Sequence, residues 1–134
     1  MRRVTTFEFC GQQRTVAFTV AAAEQLDEKA GSLERLGEWL AGDGGQMAAL
    51  GRCVEIVQLL MAEGENYERL KARYSGQERK DLAVPTAEEL KSLYTVQDLA
   101  TLKDVIFGAI SAGQQQEVES KAVEATGKNE SATS

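Results

Sequence analysis

From Gln46 to Ala62 the chain reads QMAALGRCVEIVQLLMA, and wound as a helix this run is apolar around most of its circumference. Met47, Leu50, Val54, Val57 and Met61 form one stripe, and Cys53, Ile56, Leu59 and Leu60 widen it. Polar groups are confined mainly to Arg52, Glu55 and Gln58. Such a helix is stable only when several neighbours cover it. The rest of the chain must therefore supply elements that pack around this one. Its composition, 43% hydrophobic and 27% charged, is that of a globular protein able to do so. A chain of 134 residues is the size of one domain.

The apolar run stops at Glu63-Gly64-Glu65-Asn66. Gly64 reads as a left-handed residue ending the helix. Asn66 reads as the cap of a following helix with Tyr67, Leu70 and Tyr74 on one face. On this reading the acidic stretch Glu63–Glu68 is a solvated turn, and the polar loop Ser75–Val84 is mobile. Arg69, Lys71, Arg73, Arg79 and Lys80 are interspersed with Glu68, Glu78 and Asp81, the pattern of a solvated mixed surface.

Before the central helix, Cys10-Gly11-Gln12-Gln13 places glycine first in a two-residue loop, as a type II′ hairpin turn requires. Folding about Gly11-Gln12 sets Phe9 opposite Arg14, Phe7 opposite Val16 and Thr5 opposite Phe18. Phe7, Phe9, Val16 and Phe18 then share one face. Two strands alone are marginal in water, so that face must rest on helices. Thr19 is placed to cap a helix that runs to Lys29 and closes at Gly31. Ser32 is placed to cap a short helix carrying Leu33, Leu36, Trp39 and Leu40. Gly42-Asp43-Gly44-Gly45 breaks the chain before the central helix.

Beyond the loop, Thr86-Ala87-Glu88-Glu89 is a capping box of the T-x-x-E type, and Thr95 with Asp98 marks a second helix start. A helix over 87–94 is followed by a longer one with Leu99, Leu102, Ile106 and Ile110 at helical spacing, ending near Gly113. The expected fold is mainly α, a two-stranded β-hairpin over 4–18 packed on a bundle of about five to six helices. One domain spans 1–113, with its helical body over 19–113, and 114–134 reads as a frayed helix passing into a disordered, flexible tail.

Chemistry is sparse. Histidine is absent, so the usual general acid–base group at neutral pH is missing. Cys10 and Cys53 fall in apolar contexts without a CxxC. They read as small buried hydrophobes, and a disulfide between them is not decided by sequence. The glycine-rich stretch 42–45 lacks a Walker lysine and a GxGxxG spacing. Asp43, Glu63 and Glu65 do not make an EF-hand loop. No catalytic residue, metal or cofactor is expected. The 21 acidic against 15 basic residues, net charge −6, disfavour nucleic acid. Thr5, Thr6 and Glu8 follow Met1-Arg2-Arg3 where an export signal would need an apolar core, and no stretch is long enough for a membrane span.

Taken in order, the segments resemble small tail assembly chaperones of long-tailed (siphovirus-like) phages and prophages. The resemblance covers residues 4–112. It rests on TTFEFCGQQRTVAFTVAAAEQLDEKAGSLERLGEWLA, with its G-S-L-E-x-L helix start, then VEIVQLLMAEGENYERL, then PTAEELKSLYTVQDLATLKDVIFGAI. It implies a protein that binds the tape-measure protein, keeps it soluble in the host cytoplasm until tube subunits polymerise, and is absent from the mature virion. It further implies a longer, frameshifted form that recruits the tail tube protein. Oligomeric state is left open; modest contacts released during assembly call for many copies acting together.

Side-chain type and helical placement, rather than any family motif, suggest the binding surface. It would comprise Leu93, Tyr94, Leu99 and Phe107 in the 87–112 region, with Trp39 or Tyr67 as anchors. Trp39 reads first as core, beside Leu36, and second as an anchor. Two other readings stand beside this one. The first is another phage morphogenesis protein, such as a tail-terminator or head–tail joining subunit. The second is a small bacterial regulator or antitoxin whose Thr86–Gly113 helix pair offers Lys103 against Asp98 and Asp104, a poor surface for phosphates.

Overall fold

The computed structural model describes residues 3–129, with side chains described as far as residue 114. Strands β1 (Thr5–Phe9) and β2 (Gln12–Val16) pair antiparallel, with Thr5 opposite Val16, Phe7 opposite Arg14 and Phe9 opposite Gln12. The turn is Cys10-Gly11, one residue earlier than the expected Gly11-Gln12. Both residues take positive φ, 53° and 81°, as a type I′ turn demands. The pairing therefore differs by an even step from the expected one. Because side chains alternate with a period of two, the faces survive the slip: Phe7, Phe9 and Val16 still turn inward. Phe18 lies beyond the strands rather than in them, half-buried against the core.

Helix α1 (Val20–Ala30) starts and stops where its caps dictate. Thr19 Oγ1 accepts the Ala22 N–H at 3.1 Å, and Gly31, at φ 90°, donates its N–H to the Asp27 carbonyl. Ser32 makes no side-chain capping bond; a 3₁₀ turn at Leu33–Arg35 leads instead into the short α2 (Leu36–Leu40). Gly44 and Gly45, both at positive φ, make the break before α3 (Gly45–Tyr74).

Helix α3 does not end at Gly64. It runs on for 30 residues, about 45 Å at the usual rise. Gly64 is helical and buried. The end of the hairpin crosses it, with the Ala17 N–H donating to the Leu60 carbonyl at 3.1 Å. A Cβ on Gly64 would collide with the Thr15 carbonyl and stand 3.0 Å from the Val16 Cα. The glycine is thus there to admit a second backbone, not to stop the first. Asn66, expected as a cap, lies mid-helix and accepts from Arg69 Nη2 at 2.6 Å.

Around α3 pack β2, α1, α4 (Ala87–Leu93) and α5 (Leu99–Asn129). Leu26, Leu36, Leu40, Ile56, Leu60, Leu90, Leu102 and Ile106 close the core almost completely. Met47, assigned to the buried stripe, stands 64% exposed, because the first turn of α3 projects past its neighbours. The expected capping box forms at Thr86, and the expected second start forms at Thr95. Thr86 Oγ1 accepts from Glu89 N while Glu89 Oε1 accepts from Thr86 N, and Asp98 Oδ2 accepts from Thr95 N. Between them a 3₁₀ turn, Val96–Asp98, opens α5. That helix continues past the expected end at Gly113, where it lies against Phe18. Beyond the helical backbone to Asn129, the flexible tail expected over 114–134 falls outside the described residues.

Thr86→Ala is expected to cost about 1 kcal/mol, since the Glu89 N–H loses its side-chain acceptor. Ser32→Ala, where no capping bond exists, should stay below ~0.5 kcal/mol. Urea unfolding of both variants checks the pair.

Candidate functional site

The acidic stretch after the apolar run is a brace rather than a solvated turn. Five residues apart on α3, Glu63 accepts from Thr19 Oγ1 at 2.9 Å and Glu68 from Thr15 Oγ1 at 2.9 Å. Between them Glu65 is buried. It takes Arg79 Nη1 at 2.6 Å and Nη2 at 2.9 Å, and the Leu82 N–H at 2.8 Å. The forked guanidinium–carboxylate geometry is the strong form of ion pair. Hydrogen bonding to Arg79 holds the Glu65 carboxyl below its ordinary value, burial opposes this, and the Leu82 N–H adds to the lowering. Arg79, expected on a solvated surface, is mostly covered. The loop Ser75–Val84, expected to be mobile, is tied to α3 by Glu65 and to the hairpin by Arg14 Nη2, which donates to the Ala83 carbonyl at 2.8 Å.

This bracing shapes a hollow of about 770 Å³ between the hairpin tip, the segment Leu82–Pro85 and α4. A second, of about 580 Å³, lies between the start of α3 and the turn joining α4 to α5, floored by Leu50, Gly51 and Val54 beside Met47, Tyr94 and Val96. A third, smaller one of about 400 Å³ runs beside Val20, Tyr67 and Leu70.

The residues expected to bind a partner are spread over this surface. Leu93, at 53% exposure, rims the first hollow, and Phe107, at 42%, stands out from α5. Tyr94 and Leu99 are half-buried against the core. Tyr94 lies against Phe9 with ring centroids 6.4 Å apart, and burial raises its hydroxyl pKa, with Cys10 and Asp98 adding to the rise. Trp39 also packs on the core, under the Arg52 guanidinium at 6.0 Å. Tyr67 carries Lys71 Nζ at 5.7 Å from its ring. Arg52 and Tyr67 are separated by about 22 Å along α3, so Trp39 and Tyr67 cannot anchor one compact patch. Sequence reasoning missed Val20, Met47, Leu70, Tyr74 and Val96, which are all exposed. Apart from Leu70, these sit at or near the ends of their elements, where a helical stripe outruns the neighbours that would cover it.

Neither thiol is in a disulfide. Cys10, expected to be buried, is exposed at the hairpin turn, whereas Cys53 is buried in α3. Burial pushes the Cys53 thiol up, against the opposing pull of Lys103 and Arg52. A thiol-specific reagent should therefore label Cys10 at once in the native protein and reach Cys53 only on unfolding. Stopped-flow labelling of Cys10→Ser and Cys53→Ser checks this; fast native reaction of Cys53 would contradict its burial.

Among the described residues no group of three or more His, Cys, Asp or Glu side chains is placed to hold a metal ion. No helix among them is long and apolar enough to cross a membrane. No protein family, curated protein or solved structure matches the chain.

Proposed function

We propose that the chain is a tail assembly chaperone of a long-tailed phage or prophage. It binds the tape-measure protein in the host cytoplasm, keeps it soluble and helps recruit tube subunits, in part through a longer frameshifted form. It is left out of the finished virion. The order of the three quoted segments supports this reading, and one surface observation carries it. Large apolar side chains stand clear of the core at 53% for Leu93, 37% for Val96 and 42% for Phe107, all on the stretch from α4 into α5. An unassembled helical client exposes apolar stripes that would otherwise aggregate, and such side chains are what cover them. Each contact is modest, so release needs no chemical step and retention comes from many copies along one client.

Within that surface Leu93 and Phe107 are the residues to substitute, because Tyr94, Leu99 and Trp39 also support the core. Mass spectrometry of purified particles is the direct test of the transient role. The chain should be present in the assembly lysate and missing from mature particles. Stoichiometric recovery from the particle would make it a structural subunit instead.

A further inference from the structure

Arg14 is 6% exposed, yet its side chain lines the hollow beside the hairpin tip. A guanidinium carries five N–H donors. Among the described residues, Arg14 uses its Nη2 on the Ala83 carbonyl, rests 5.9 Å from the Phe9 ring centroid, and forms no salt bridge. The nearby buried carboxylate, Glu65, feels this charge but is already taken by Arg79 and the Leu82 N–H. A buried cation with donors to spare is costly unless something completes it.

The wall beside it has matching features. The segment from Leu82 to Pro85 belongs to no helix or strand, and the residue before a proline favours extended backbone. Among the described residues, the N–H groups of Ala83 and Val84 have no hydrogen-bond partner. An irregular segment with open backbone donors, apolar walls and one buried cation together describe a cleft for an extended chain.

We propose that this cleft binds an extended peptide segment of a partner protein, with one acidic side chain placed on Arg14 between apolar neighbours. Glu88, with its side chain 86% exposed and paired with Lys91 at 3.5 Å, and Glu89 both line this side, so the peptide carries a basic residue there. The chain's net charge of −6 argues the same way, against a partner that is acidic throughout. The cleft shares Leu93 with the proposed client surface but neither Val96 nor Phe107, and client solubilisation is not its readout.

The experiment uses the full chain and a blocked heptapeptide with a central glutamate flanked by valine and leucine and ending in lysine. The control peptide has glutamine at the centre. In amide NMR titrations the glutamate peptide should shift Arg14, Ala83 and Val84 and bind about tenfold more tightly than the control, the worth of one charge-assisted bond. Ser92→Asp puts a carboxylate on the exposed wall without entering the core or touching the proposed client surface; it should abolish binding while the unfolding midpoint stays put. Arg14→Lys should weaken binding and narrow the difference between the peptides. Equal affinity for the two peptides, no binding by either, or a self-associated chain that buries Arg14 and Leu93 against a second copy would each overturn the proposal.

Discussion

Gly64→Ala should destabilise the protein by about 2–4 kcal/mol, although alanine is the better helix former by about 1 kcal/mol. The position is mid-helix, so intrinsic propensity alone favours the substitution. What opposes it is contact: the new methyl would occupy the place of the Thr15 carbonyl, which is backbone and cannot swing aside. Either α3 bends or the hairpin lifts. Lifting forfeits the Ala17–Leu60 hydrogen bond and the burial of Val16. Gly51 gives the control on the same helix, since a Cβ there meets nothing within 4 Å. Gly51→Ala should stabilise by up to about 1 kcal/mol. Opposite signs for one chemical change on one helix separate close approach from propensity, and denaturant unfolding reads both.

Removing the guanidinium at Arg79 should be the other large effect. Arg79→Met leaves Glu65 buried with only the Leu82 N–H as partner, and losing one member of such a pair costs about 2–3 kcal/mol. Replacing both, as Glu65→Met with Arg79→Met, should recover part of that loss, because no charge is then stranded. The pH dependence follows from the lowered Glu65 pKa. Its ordinary value is 4.5 and the folded value lies below it. The stabilisation is therefore fully present above pH 4.5 and is lost as pH falls through the folded pKa. Glu65→Gln should make the protein less stable at pH 7 and flatten this acid limb. An unchanged acid limb in the variant would mean that other carboxylates carry it.

Both effects arise where the sequence was hardest to read. Starts and stops set by near neighbours were plain: Thr19 and Gly31 around α1, Thr86 with Glu89, and Thr95 with Asp98. Each is decided within a turn or two of chain. Gly64 was different, because a glycine needed for positive φ and one needed for lack of a side chain are the same letter. Only the hairpin, far earlier in the chain, distinguishes them. Glu65 looked solvated because its partner lies on an irregular segment with no periodicity to place it. The hairpin turn misled because Cys10 takes a positive φ that residues other than glycine adopt seldom. The exposed positions on the surface were legible only in part. Leu93 and Phe107 carried the right side chains on the right helices, but exposure depends on which neighbours stop short.

Co-expression with the tape-measure protein tests the central claim most directly. With the wild-type chain the client should move from the insoluble to the soluble fraction. With a Leu93→Asp and Phe107→Asp double variant that keeps its unfolding midpoint, it should return to the pellet. A client that stays insoluble beside the wild-type chain, or is rescued equally by the variant, would contradict the account.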